Sequence, residues 1–219
     1  MLEIVYKHTD FYIFNKPAGL SFHSEDGPGF VVIAEQQVIE KLFSVHRLDK
    51  VTSGLIILAR HAESAAQLTQ LFAAHSINKF YLAISDKKPK KKQGWVKGDM
   101  TKSRRSAYKL LKTQENPAIT RFYSIACLAG FRGFLLKPYS GKTHQLRVAL
   151  KSLSAPILGD NLYGGTISDR TYLHAFALDF TWQDQRIQLT CKPNVGNKYT
   201  TLDWQNTLVA WEKPWLLDW

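Results

Sequence analysis

Cysteine is scarce. Cys127 and Cys191 are the only two in 219 residues and no CxxC pair occurs, so neither a disulfide framework nor a cysteine-built zinc site is expected. Long apolar runs are missing as well: none approaches the roughly 18 residues that a membrane helix needs. The opening residues, Met1-Leu-Glu-Ile-Val5, lack the basic and then apolar layout of a signal peptide. A reducing cytoplasm is the expected location, with no membrane partner.

Acidic residues are rare in one segment. The formal net charge is +11. From Lys87 to Lys112 there are eleven Lys or Arg and one acid, Asp99, whereas the other 193 residues carry eighteen basic and seventeen acidic side chains. The segment starts as Lys87-Lys88-Pro89-Lys90-Lys91-Lys92 and continues through Lys102, Arg104, Arg105 and Lys109. Pro89 and Gly94 mark it as a loop, and a solvated loop held open by self-repulsion is the plain reading. Charge spread for solubility would not collect this way. A polyanion is the expected partner, and nucleic acid rather than membrane, because no amphipathic helix accompanies the run.

Short strand patterns outnumber helical ones. Phe11 to Phe14 reads as a strand that stops at the turn sequence Asn15-Lys-Pro-Ala-Gly19. Ile33, Val38, Leu42 and Phe43 predict a helix over 31–43, against the β-branched pair Val31 and Val32. Leu55 to Ala59 is a continuous apolar strand, and Ala65, Leu68 and Phe72 place a helix over 62–75. Phe80 to Ile84 returns to strand. Beyond the basic loop, 107–111, 120–126 and 131–137 read as further strands. A helix starts at Thr143, whose hydroxyl would cap it, with Leu146, Leu150 and Leu153 on one face. Residues 173–182 and 186–192 form a hairpin around Asp184-Gln185. A last helix would set Trp204, Leu208 and Trp211 on one side, with Trp215 and Trp219 packing as a tail. Many strands and few helices in no regular alternation predict an α+β sheet protein.

Two segments carry the chemistry. Val45-His46-Arg47-Leu48-Asp49-Lys50-Val51-Thr52-Ser53-Gly54 sets charged residues beside Thr-Ser-Gly at the entrance of an apolar strand, which marks a loop on the sheet face. By itself, an Asp in such a loop is a turn former or cap. Tyr139-Ser-Gly-Lys-Thr-His-Gln-Leu-Arg147 is a glycine turn into a helix, and alone it is a capped helix with a polar first turn.

Together these segments resemble a known family. His46-Arg-Leu-Asp-Lys-Val-Thr-Ser-Gly54 matches the HRLDxxTSG signature of the RluA-type pseudouridine synthases, and Gly141-Lys-Thr-His-Gln-Leu-Arg147 matches their GRTHQIR motif. Asn15-Lys-Pro-Ala-Gly-Leu20 resembles the NKPxG block and Lys79-Phe-Tyr81 the KxY element. Pro156-Ile-Leu-Gly-Asp160 with Tyr163-Gly164 resembles the HPILGDxxYG block, and Leu173-His-Ala175 the LHA strand. Lys142 stands where the family has Arg, and Ala155 where His often precedes Pro. The resemblance runs from about residue 4 to 193. The last 25 residues match no motif, and residues 1–15 leave no room for a preceding RNA-binding domain of S4 type. One catalytic domain over 1–219 is expected, as in the smallest members.

The resemblance implies an α+β pseudouridine synthase fold: a long, mixed, mostly antiparallel sheet with a central cleft flanked by helices and loops. It implies an isomerase that cuts the bond between ribose C1′ and uracil N1, turns the base and joins C5 instead. No atoms are gained, so neither cofactor nor metal is required, and the seven histidines show no metal-ligand spacing. Carried over from the motifs, Asp49 is the carboxylate that either attacks C1′ or removes a proton from C2′. A carboxylate suits glycosyl chemistry, where positive charge grows at C1′. Arg147 aligns with the arginine that pairs with the aspartate and favours its charged form. Tyr81 aligns with the tyrosine lying against the uracil, its hydroxyl near the proton that leaves C5. Arg47 fills the place of the flipped nucleotide. His46 either contacts the RNA backbone or braces the loop. The partner is a tRNA or rRNA stem-loop touched by Lys87, Lys88, Lys90, Lys91 and Lys92, and a monomer without an obligate protein partner is expected. Two other classes compete. A nucleosidase needs a second carboxylate to activate water, for which Asp160 is the one motif candidate, and its Gly-Asp-Asn setting reads as a turn. A non-catalytic RNA-binding module explains the basic segment but not Asp49 with Arg147 and Tyr81.

Overall fold

The computed structural model describes residues 1–25 and 27–219. In chain order its main elements are β1 (Glu3–Lys7), β2 (Phe11–Lys16), α1 (Phe30–Val38), β3 (Phe43–Ser44), β4 (Ser53–Ala59), α2 (Ala62–Ala73), β5 (Asn78–Ser85) and β6 (Gln93–Gly98). There follow β7 (Met100–Lys102), β8 (Tyr108–Leu110), β9 (Ala118–Leu128), β10 (Phe131–Pro138), α3 (Gln145–Ser152), β11 (Leu173–Trp182), β12 (Gln185–Thr190) and α4 (Leu202–Val209). The chain divides into two compact units, Met1–Ile77 with His174–Lys192, and Asn78–Leu173 with Pro193–Trp219.

In the first unit β2 pairs antiparallel with β1 and β4, β3 pairs antiparallel with β4, and β11 pairs antiparallel with β12. β4 and β11 run parallel, His174 opposite Ser53 and Ala175 opposite Gly54. Every residue of β4 is buried, which is why its sequence is a continuous apolar run rather than an alternation. Phe11, Ile13, Leu55, Ile57, Leu68, Phe180 and Trp182 pack into one core. Each such side chain stabilises by roughly 1.5–3 kcal/mol on burial. Gly54 has φ 109°, and a Cβ there would sit 2.2 Å from the Ala175 carbonyl oxygen. The glycine of the Thr-Ser-Gly sequence is therefore fixed by the close approach of β11.

The second unit orders its antiparallel strands β5-β10-β9-β6, with β7 and β8 as a separate hairpin. Both units are sheets with helices and no regular βα alternation, the α+β class expected. No described helix is long and apolar enough to cross a membrane.

Four expectations need correction. The helix expected over 31–43 ends at Val38, because Ile39 takes a left-handed conformation (φ 57°) and Phe43–Ser44 pairs with β4 instead. Thr143 does not cap α3. The N-cap is His144, also left-handed, and the turn before it is closed by the Gln145 amide oxygen, which accepts from Lys142 N–H (3.0 Å) and the Ser140 hydroxyl (2.8 Å). The basic segment is not one loop: β6 and β7 lie within it, ahead of the expected strand β8. The C-terminal hairpin turns at Gln183-Asp184, one residue earlier than read, with Trp182 opposite Gln185. The C-terminal helix buries Trp204 and Leu208 as expected, with Trp204 against Gly133, whereas Trp211, also buried, lies past the end of the helix.

Candidate active-site residues

The first signature forms the loop between β3 and β4. Its turn is closed by the Thr52 N–H bonding to the Asp49 carbonyl oxygen at 3.0 Å. Leu48 is buried, Asp49 half-buried and Arg47 exposed, so the apolar residue anchors the loop between its charged neighbours. His46 is held from two sides. Its Nε2 accepts the Ile57 N–H at 2.9 Å, and its ring stacks on Phe72 with centroids 4.3 Å apart. That geometry is a brace for the loop.

The Asn15-Lys-Pro-Ala-Gly block holds the same loop from the other end. Lys16 is 0 % exposed, and its ammonium donates to the carbonyls of Pro17 (2.9 Å), Leu20 (2.8 Å) and Lys50 (3.3 Å). The Gly19 N–H donates to the Lys50 carbonyl as well, at 2.8 Å. A buried cation is costly unless its protons are placed, and here three carbonyl oxygens place them. Ser53 and His174 form a second support. Ser53 Oγ lies 2.7 Å from His174 Nδ1, and His174 Nε2 lies 2.8 Å from the Cys191 carbonyl. A carbonyl only accepts, so Nε2 carries the proton there. Sequence reasoning had Lys16 and His174 only as members of matching blocks; burial gives them this job.

In the second unit Tyr81 lies on β5 opposite Leu136 of β10, half-buried between the buried Phe80 and Leu82. Arg147, on α3, is 5 % exposed, and Asp160 1 %. The pair is bidentate: Nε donates to Oδ2 at 2.8 Å and Nη2 to Oδ1 at 2.7 Å. The guanidinium also lies over the Tyr163 ring, 4.9 Å from its centroid. Tyr163 is fixed in turn, its hydroxyl accepting the Tyr108 N–H (3.0 Å) and lying 2.9 Å from His144 Nδ1. The reading of the Asp160 setting as a turn holds, and the side chain adds a second role. Its backbone does close a turn, the carbonyl accepting from Tyr163 and Gly165, but its carboxylate is the buried counter-ion of Arg147. Gly159, with φ 78° and an added Cβ only 1.8 Å from the Arg170 carbonyl, is what lets the chain aim that carboxylate inward.

Lys87, Lys88, Lys90, Lys91 and Lys92 lie on the connection between β5 and β6, Lys90 and its neighbours carried at the surface of that connection. Lys87 sits 3.3 Å from the Asp86 carboxylate. The backbone of the run is pinned by Lys90 N–H to the Leu153 carbonyl (3.2 Å) and by the Lys92 carbonyl to Ser124 (2.7 Å). Arg104 and Arg105 are exposed between β7 and β8. Lys142, the departure from the family motif, donates to the Asn116 side-chain oxygen at 2.8 Å.

The family described as RNA pseudouridylate synthase matches residues 10–152. An uncharacterized RNA pseudouridine synthase of Haemophilus influenzae is 54 % identical over 199 residues, 89 % of each chain. The ribosomal large subunit pseudouridine synthase C of Rickettsia bellii is 35 % identical over 188 residues, 78 % of this chain, which spans only 61 % of that protein. Among solved structures, human RNA pseudouridylate synthase domain containing 1 has the same fold, with a TM-score of 0.75 at 24 % identity over 89 % of this chain and 84 % of that one.

Proposed function

Since the chain belongs to the RNA pseudouridylate synthase family, we propose that it isomerises chosen uridines of a structured RNA, a tRNA or rRNA stem-loop, through Asp49. The observation that carries the assignment is the HRLDKVTSG loop, tied down by Lys16, Gly19 and His46, with Arg47 exposed and Asp49 half-buried on it. A loop with such supports holds a carboxylate in one place, which glycosyl chemistry requires.

Isomerisation begins with a base out of its stack, because C1′ and C5 are unreachable within a stacked helix. Arg47, planar at its tip and facing outward, takes the vacated place. His46 serves the RNA through the loop it braces. Asp49 then either attacks C1′ or takes a proton from C2′ as the bond to N1 breaks. Arg147 is the cation that the family motif assigns to the Asp49 carboxylate, and Asp160 keeps that guanidinium aimed. Tyr81 stacks on the uracil and, once the new bond to C1′ has formed, its hydroxyl relays the C5 proton to water by giving up its own, while N1 takes a proton up and Asp49 is released unchanged. The net change is zero atoms, so the reaction needs neither cofactor nor metal. Phosphates of the RNA lie along the lysine run of 87–92. The two compact units work as one catalytic domain, as a monomer in the cytoplasm.

Asp49→Asn is the direct test, since it keeps the shape and removes the charge. The variant should bind RNA nearly as wild type does and form no pseudouridine, read as a C-glycoside at unchanged mass. Turnover by the purified variant would refute the role of Asp49, and release of free uracil by wild type would point to a hydrolase.

A further inference from the structure

The connection between β2 and α1 carries Glu25 across to the signature loop, and it is closed by its own contacts. The Phe30 N–H donates to the Ser21 carbonyl at 2.9 Å, and the Gly29 N–H to the Ser24 hydroxyl at 3.1 Å. A Cβ at Gly29 would lie 2.3 Å from the His23 carbonyl carbon, so only glycine lets the chain close here. Phe22 is buried and stacks on the buried Phe30, with centroids 6.4 Å apart. These contacts fix the place from which Glu25 projects.

The Glu25 carboxylate meets a side chain of the signature loop. Its Oε2 accepts the Ser21 hydroxyl at 2.8 Å and lies 3.4 Å from the Lys50 ammonium. The Ser21 hydroxyl above all, then Lys50 and more weakly Arg47, hold this carboxyl below the usual carboxylate range. An anion of the chain itself therefore answers the cations that stand on either side of Asp49 in sequence. The Lys50 backbone is fixed, its carbonyl taking both the Lys16 ammonium and the Gly19 N–H. Its side chain is not: Lys50 and Glu25 are 55 % and 59 % exposed. An ion pair so open to water is weak, and a stronger anion can replace its acid.

The reaction brings such an anion. A ribose within RNA carries a phosphate on each side, so a carboxylate working at C1′ stands within one sugar of two phosphates. Asp49 repels them, and a cation beside it must offset that repulsion. Adjacent Cα atoms are about 3.8 Å apart, which makes Lys50 the nearest cation along the chain, on a long flexible stem. Arg47 is committed to the vacated place in the stack.

We infer that Lys50 binds an RNA phosphate beside the flipped nucleotide, and that Glu25 holds this cation until the phosphate displaces it. The inference rests on the reading that Asp49 acts on RNA, and adds to it one phosphate contact and an internal competitor. In the empty enzyme the Glu25 carboxylate marks where that phosphate goes.

The test uses the whole chain with Asp49→Asn as background, so that binding is read without turnover, and a stem-loop RNA closed by a uridine loop. Glu25→Gln should bind this RNA about two- to fivefold more tightly, the range over which exposed ion pairs count. Lys50→Gln should bind it more weakly by a similar factor and lower the salt slope by roughly 0.7 log units. With Lys50→Gln already present, most of the gain from Glu25→Gln should vanish. Lysine acylation read by mass spectrometry needs neither variant: RNA should protect Lys50 in the chain that keeps Glu25 and Lys50. Unchanged or weaker binding by Glu25→Gln would overturn the inference, as would wild-type affinity in Lys50→Gln or a Lys50 that RNA leaves unprotected. A full gain from Glu25→Gln without Lys50 would mean plain repulsion by Glu25, with no phosphate at Lys50. Absence of pseudouridine in a separate assay with Asp49 intact would count against the family activity and leave these binding results standing.

Discussion

Replacing Asp160 by Asn keeps the size of the side chain and removes one charge from a buried pair. Both of its oxygens accept from Arg147, at 2.7 Å and 2.8 Å, and the two residues are 1 % and 5 % exposed. Asn retains one oxygen and turns an NH2 toward the guanidinium, so one hydrogen bond is weakened and the other becomes donor against donor. Arg147 stays charged, because guanidinium does not deprotonate in proteins. Removing one partner of a buried ion pair costs about 3–5 kcal/mol, a large part of the roughly 5–15 kcal/mol by which a domain is stable. At about 2–4 °C per kcal/mol for a chain of this size, the melting temperature should fall by roughly 6–20 °C. Thermal and urea unfolding, with m unchanged, measure it. Asp160→Asn with Arg147→Gln should recover part of the loss, since the double variant removes both charges of the pair, and the coupling should exceed roughly 2 kcal/mol. At a temperature where Asp160→Asn is folded, its catalytic rate should drop while RNA affinity holds. A melting point within about 3 °C of wild type would refute the account, because it would mean that the carboxylate is not holding a buried guanidinium.

Lys16→Met removes the ammonium and keeps the length, leaving the carbonyls of Pro17, Leu20 and Lys50 without that donor. It should cost about 2–3 kcal/mol and raise hydrogen exchange at the amides of residues 46–52, and exchange equal to wild type there would show the clamp to be dispensable. Changing Lys87, Lys88, Lys90, Lys91 and Lys92 to Gln should weaken RNA binding and flatten its salt dependence by roughly 0.7 log units for each phosphate no longer neutralised. The single-turnover rate at saturating RNA separates this from a catalytic effect, and parallel salt slopes would leave the run a solvated connection.

The strands that sequence disclosed are those whose faces are sorted by burial or wholly buried. β4 is apolar throughout because both its sides are covered. β6 escaped notice because Lys97 and Trp95 point outward and only Val96 between them is buried, an alternation too short to stand out beside so many lysines. The overlong first helix has a similar cause. No Gly or Pro marks its stop; Ile39 takes the left-handed conformation that a β-branched residue rarely adopts, with its N–H on the Glu35 carbonyl. Thr143 looked like a cap because caps are read from residue type, whereas Gln145 reaches back and does that work from inside the helix. The motifs showed which residues matter and not what each one does. Asp160 shows the gap best: Gly-Asp-Asn is turn chemistry in sequence, and only burial reveals that the carboxylate answers Arg147.

Most of the motif residues turn out to hold others in place. Within HRLDKVTSG, His46 takes the Ile57 N–H, Thr52 closes on Asp49, Ser53 meets His174 and Gly54 admits β11. That leaves Arg47 and Lys50 exposed and Asp49 half-buried, while Leu48 beside them is buried. The division has a physical reason. A reacting carboxylate displaced by about 1 Å can lose about a hundredfold in rate, so position is worth as much as chemistry. A loop has no ladder of its own to fix it, and must borrow hydrogen bonds from neighbouring strands. Lys16 and Gly19 supply them at the Lys50 carbonyl, one residue beyond Asp49. The length of the signature therefore measures the support that one carboxylate needs rather than the number of groups that react.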